Sequence, residues 1–94
     1  MATFIVRHKV KDYEAWKKVF VEHGKVRAQA GFTKSRVYRY MDDPNHLILV
    51  CEVKNIEKAK AFAATPDLAQ TMRAAGVIDE PKTFFLDDGE TFPS

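Results

Sequence analysis

Ninety-four residues, 46% apolar and 30% charged, are enough for one small core and no more. The net charge of +2 is spread along the chain without a basic block, which argues against nucleic acid as the main partner and against a membrane surface. No window reaches the roughly 18 consecutive apolar residues of a membrane span, no basic-then-apolar leader opens the chain, and Cys51 has no second cysteine to pair with. The expectation is one domain over residues 1–94 in the reducing cytoplasm.

Residues 3–10, TFIVRHKV, alternate as a strand does, with Phe4, Val6, His8 and Val10 on one face and Ile5 and Arg7 on the other. Asp12 is placed to cap a helix over 13–30. Helical projection gives that segment one stripe, formed by Tyr13, Trp16, Val19, Phe20, His23, Val26, Arg27 and Ala30, and Gly31 ends it. Residues 32–41, FTKSRVYRYM, alternate again, with Arg36, Tyr38 and Tyr40 on one face. Asp42-Asp43-Pro44-Asn45 has the composition of a turn, and 46–54, HLILVCEVK, is a strand apolar on both faces. Asn55 caps a helix to about Ala64 whose inner face is Ile56, Ala59, Phe62 and Ala63. Thr65-Pro66 starts another, with Leu68, Met72 and Ala75 on one face and Gly76 at its end. Residues 82–86, KTFFL, form the last strand, and 87–94, DDGETFPS, form a loose polar tail.

This order, β-α-β-β-α-β with a split second helix, predicts an α+β ferredoxin-like fold: an antiparallel four-stranded sheet with the helices on one face. The other face would carry Ile5, one side of LILVC and one of the adjacent Phe84 and Phe85. Such a face is too apolar to stay wet. A second copy packed sheet to sheet is the expected cover; the alternative is that loops or the tail fold back over it.

With this layout the chain resembles the dimeric α+β-barrel superfamily, and within it the branch of the antibiotic biosynthesis monooxygenases. The resemblance is carried by HKVKDYEAWKKVF, AGFTKSRVYRYMDDPNHLILVCEV, KAKAFAATPDL and AAGV, which together span nearly the whole chain. It implies a homodimer of facing sheets and, in each protomer, a pocket between sheet and helices. Some members of the family oxidise polycyclic aromatic substrates there without metal or flavin, through the substrate's own carbanion. The Asn, Trp and His of haem-degrading relatives find no matching trio here, so neither haem nor another cofactor is expected.

Candidate residues follow from the two periodicities. His8 on strand 1 and His23 in the middle of the helical stripe point toward the same interlayer space, as an acid/base pair or as two buried core histidines. Asp12 stands near enough in sequence to orient His8. Tyr13, Trp16 and Phe20 are pocket walls or plain core. Arg27 reaches either an anionic group or a rim salt bridge, and Tyr38 is a candidate hydrogen-bond donor. Two histidines without a third ligand make a poor metal site, so none is expected. His46 reads as a surface residue and Cys51 as a small core residue. Ser35 and Ser94 lie in no nucleophile pattern, and SRVYRYMD lacks the glycines of an RNA-recognition strand. Two functions remain: a cofactor-independent monooxygenase acting on a hydrophobic aromatic or enolic metabolite, or a non-catalytic small-molecule-binding or stress-type dimer.

Overall fold

A computed structural model describes residues 1–94. Its elements are β1 (Ala2–Lys9), α1 (Tyr13–Glu22), α2 (Gly24–Gln29), β2 (Phe32–Arg39), β3 (His46–Val53), α3 (Ile56–Ala63), α4 (Pro66–Ala74) and β4 (Lys82–Leu86). The strands form one sheet in the order β2-β3-β1-β4, every neighbouring pair antiparallel. This is the ferredoxin-like arrangement. The helices start where short polar side chains satisfy free backbone N–H groups. Asp12 accepts from the Ala15 amide at 2.9 Å, Asn55 from that of Glu57 at 3.0 Å, and Thr65 from that of Leu68 at 3.3 Å. Gly31 and Gly76 close α2 and α4 at φ of 93° and 90°, a region only glycine enters without strain.

One face of the sheet carries the core. Phe4 and Val6 of β1 pair with Cys51 and Leu49 of β3, and all four side chains are buried beneath the helices. Phe85 stacks on Phe4 with ring centroids 4.9 Å apart, which draws β4 into the same layer. Each large side chain removed from water here contributes about 1.5–3 kcal/mol.

Two departures from simple periodicity set what reaches the cavity. First, the helix expected over 13–30 breaks at His23, whose ψ of 5° opens the turn just before the flexible Gly24. The break shifts the helical phase, so Val26 is exposed while Arg27 stays half-buried. Second, β2 carries a bulge: Phe32 pairs with Val53 but Lys34 with Glu52, which leaves Thr33 as the extra residue. From there on Ser35, Val37 and Arg39 lie on the helix side, and Lys34, Arg36 and Tyr38 on the other.

The outer face has an uncovered apolar centre flanked by the charged Arg7, Lys34, Arg36, Glu52 and Lys82. Val50, Ile5 and Phe84 form a row across β3, β1 and β4, with Tyr38 paired to Ile48 beside it. Tyr38 is 49% exposed, Phe84 46% and Leu86 45%. The tail, residues 87–94, has no regular structure, is exposed throughout and does not cover this face. The amino terminus meets Asp88 at 3.1 Å.

Candidate functional site

Between sheet and helices lies a cavity of about 70 Å³. β1 contributes Phe4, Val6 and His8 to it, and β3 contributes Leu49 and Cys51. Trp16, Val19 and Phe20 come from α1, Arg27 from α2, and Leu68, Thr71 and Met72 from α4. His23 at the α1–α2 break, Phe32, Phe62 and Ala75 complete the wall. The only polar side chains among the 16 are His8, His23, Arg27 and Thr71.

His8 is 2% exposed, and neither ring nitrogen has a hydrogen-bond partner. Each unmade bond to a buried polar atom costs about 1–3 kcal/mol. Its ring meets that of Trp16 edge to face, with centroids 5.9 Å apart. Burial lowers its pKa; the charge of Asp79 raises it and His46 lowers it, and the lowering prevails. A neutral imidazole has one N–H donor and one lone pair, and both are available to a ligand. The strand holds this ring in place from its far end. The Lys9 amide donates to the Asp79 carboxylate at 2.8 Å, the Val10 amide to the Asn45 carbonyl, and the Tyr13 amide to the Asn45 side chain at 3.1 Å.

A column of rings runs along α1. Tyr13 stacks on Trp16, and Trp16 on Phe20 with centroids 4.9 Å apart. Arginines close both ends: Arg39 lies 3.9 Å from the centre of Tyr13, and Arg27 lies 3.6 Å from that of Phe20. Cation–π contact holds each guanidinium over its ring. Arg27 also donates to the Phe20 carbonyl at 2.7 Å. Its pKa is lowered by burial, which leaves a guanidinium charged at any physiological pH.

His23 faces α4. Its Nε2 lies 3.5 Å from Thr71 Oγ1, at the limit of a hydrogen bond. The Thr71 hydroxyl already donates to the Asp67 carbonyl at 2.9 Å. Cys51 is buried, receives the Ser35 hydroxyl at 3.4 Å, and has its pKa raised by burial against the opposing effects of Ser35 and Arg27. It is a thiol at neutral pH, a poor nucleophile.

The structure thus brings His8, Trp16, Phe20, His23 and Arg27 to one cavity and leaves two expected residues out. Tyr13 stands behind Trp16, sandwiched against Arg39, and does not reach the wall. Tyr38 lies on the opposite face of the sheet, turned away by the bulge at Thr33. Asp12 is spent on capping α1 and does not orient His8. His46 is not bare surface but half-buried, its ring parallel to Tyr40 with centroids 3.7 Å apart. Thr71 escaped notice as a site residue, although it sits three residues after Leu68 and four before Ala75, on the face that covers the cavity.

A second, open hollow of about 620 Å³ lies between α4, residues 77–81 and β4. Phe4, Leu68 and Met72 border both spaces and form the partition between them. The inner cavity is about half the roughly 150 Å³ that admits a benzene ring. An aromatic ligand therefore enters only if this partition moves. α4 has no fully buried residue to hold it down, and Met72 is the most adaptable of hydrophobic side chains. No three His, Cys, Asp or Glu side chains gather anywhere in a metal-binding group, and no helix is long and apolar enough to cross a membrane.

No protein-family model and no curated protein matches the chain. Solved structures do. The cofactor-independent oxygenase SnoaB from Streptomyces nogalater superposes with a TM-score of 0.71 over 99% of this chain and 97% of its own, at 21% identity. A structure described as antibiotic biosynthesis monooxygenase gives 0.66 over 96% and 100%, at 18% identity. A conserved protein from Methanosarcina mazei gives 0.70 over 95% and 94%, at 13% identity. Likeness at these identities is likeness of fold: the chain is built as the antibiotic biosynthesis monooxygenase structures are, along its whole length.

Proposed function

We propose that the chain is a small-molecule enzyme, a cofactor-independent monooxygenase that acts on a hydrophobic aromatic or enolic substrate in the cavity between sheet and helices. The observation that carries this reading is His8, a neutral, buried imidazole with both nitrogens unpartnered in an apolar space. A phenol or enol would satisfy it by donating its O–H to the ring lone pair. Transfer of that proton gives an imidazolium and an electron-rich anion. The anion reduces dioxygen by one electron, and the resulting pair recombines at carbon as a peroxide. Loss of water then leaves a carbonyl, so that a CH₂ and O₂ become C=O and H₂O. The aromatic walls would keep water out, which strengthens every charge interaction in the site. Larger substrates would displace Leu68 and Met72 and occupy the outer hollow as well.

The test is oxygen uptake by the purified protein with a panel of enolisable and phenolic compounds, with and without His8→Phe. General-base catalysis of this kind contributes about 10²–10⁴-fold. The expected result is one dioxygen consumed per product and a loss of that order in the variant. Ligand binding without turnover for every compound would favour the second reading, a non-catalytic small-molecule-binding or stress-type protein. One feature supports that alternative: neither cavity histidine has a carboxylate to orient it.

The assembly that fits the bare outer face is a homodimer, sheet to sheet, which would cover Ile5, Ile48, Val50, Phe84 and Leu86. A lone, buried Cys51 suits a cytoplasmic protein.

A further inference from the structure

We infer that the cavity binds an organic monoanion, with the Arg27 guanidinium as its counter-charge and His8 as the hydrogen-bonding partner of its other polar group. This rests on reading the cavity as a ligand site and adds the charge of the ligand class.

Arg27 is a cation without an anion. The ion pairs of the chain, Met1 with Asp88 and Lys60 with Glu57, leave it out. No Asp or Glu is among the cavity's lining residues. One of its five N–H donors goes to the Phe20 carbonyl, and its Cζ lies over the Phe20 ring. These contacts hold the group in place without neutralising it. Its Nη2 lies against Gly24, 3.7 Å from where a β-carbon there would stand, so the group is packed at the α1–α2 break but has no anion. A half-buried charge facing apolar walls is stabilised most by an oxygen anion that takes two of its donors together.

His8 is the independent second sign of a ligand. It is buried, unpartnered and part of the same wall. Beside the His23–Thr71 pair, the cavity therefore has two polar groups with capacity to spare, His8 and Arg27, set in a surface of Phe4, Trp16, Phe20 and Phe62. That pattern fits a flat apolar body with a carboxylate or other single-charge oxygen group and a second hydroxyl or carbonyl. One guanidinium, with no lysine beside it, matches a monoanion better than a phosphate dianion. A cationic ligand would meet Arg27 with like charge and is excluded.

Trp16, the sole tryptophan, lies in the wall, so its emission reports occupancy. Two probe pairs of different size separate charge from fit: 4-hydroxybenzoate with 4-hydroxybenzamide, and acetoacetate with acetoacetamide. In wild-type protein at least one carboxylate should bind about tenfold or more tighter than its amide, the worth of a charge-assisted hydrogen bond. Arg27→Gln should abolish the preference, while Arg27→Lys retains part of it. Circular dichroism checks that each variant is folded, and the wild-type comparison stands without any variant. Equal binding of carboxylate and amide overturns the anion assignment while the cavity remains a ligand site. A preference that survives Arg27→Gln also overturns it. Failure of all four probes to bind at millimolar concentration overturns both the anion assignment and the ligand reading beneath it.

Discussion

The two faces of the sheet are made from the same alternating strands and meet opposite fates. On the inner face, Phe4, Val6, Leu47, Leu49 and Val53 are buried beneath the helices, and the gap they leave holds His8. On the outer face, Ile5, Ile48 and Val50 are only half-buried, and Phe84 and Leu86 are exposed. The inner face is finished by its own chain and keeps a cavity; the outer face has no cavity and no cover. A strand apolar on both sides thus reports two demands at once, one met within the chain and one that the chain leaves open, for which a second copy is the proposed cover.

The largest effect expected from this contrast is on assembly. Ile48→Asp would place a charge without a partner in the proposed sheet-to-sheet interface, a change that costs about 3–5 kcal/mol at a buried site. Sedimentation equilibrium at micromolar concentration should show the wild type at twice the chain mass and the variant at the chain mass. A wild type that sediments as a monomer would end the dimer reading. The matching inner-face change is Leu47→Ala. Leu47 is completely buried, so the change should cost about 2–5 kcal/mol in chemical denaturation. It should act on the fold and not on the association of folded chains; if it dissociated a dimer at unchanged stability, the two faces would not be independent.

A smaller effect distinguishes His8 from ordinary core. Its folded pKa lies below the ordinary imidazole value of 6.5, so the unfolded chain binds the extra proton. The stability that neutral His8 confers is present above about pH 6.5 and is lost as pH falls through the lower folded value. Asp79 acts against this loss and His46 with it; His23, Arg27 and Cys51 share the cavity. His8→Phe should therefore flatten the fall in urea midpoint between about pH 7 and about pH 5. Identical slopes in wild type and variant would mean that the ring is already satisfied or solvated.

The smallest effect tests the bulge. Tyr38→Phe should leave stability within about 0.5 kcal/mol and leave ligand affinity, read by Trp16 emission, unchanged. Loss of ligand binding would put Tyr38 on the cavity side and would contradict the register after Thr33.

Much of the fold and part of the site were legible because two periods, near two and near 3.6 residues, dictate which side chains share a face. Phe4, Val6 and His8 had to point together, and Trp16, Phe20 and His23 had to share a helical stripe. The polar caps Asp12, Asn55 and Thr65 marked the helix starts, since free N–H groups there need acceptors within three residues. What periodicity cannot carry is a change of period. The extra residue at Thr33 reversed the faces of β2 and moved Tyr38 to the outer side. The break at His23 turned Val26 outward and kept Arg27 at the wall.

By itself the sequence determined the order of the strands, the starts of α1, α3 and α4, the two apolar faces of β3 and the facing of His8 and His23 toward one interlayer space, because each follows from local geometry and from which residues avoid water. Only the tertiary structure decided that Tyr13 lies behind Trp16, that α4 brings Thr71 to His23, that His8 has no partner and that Arg27 has no counter-ion. Those are properties of the space between elements distant in sequence, and they depend on how side chains fill that space.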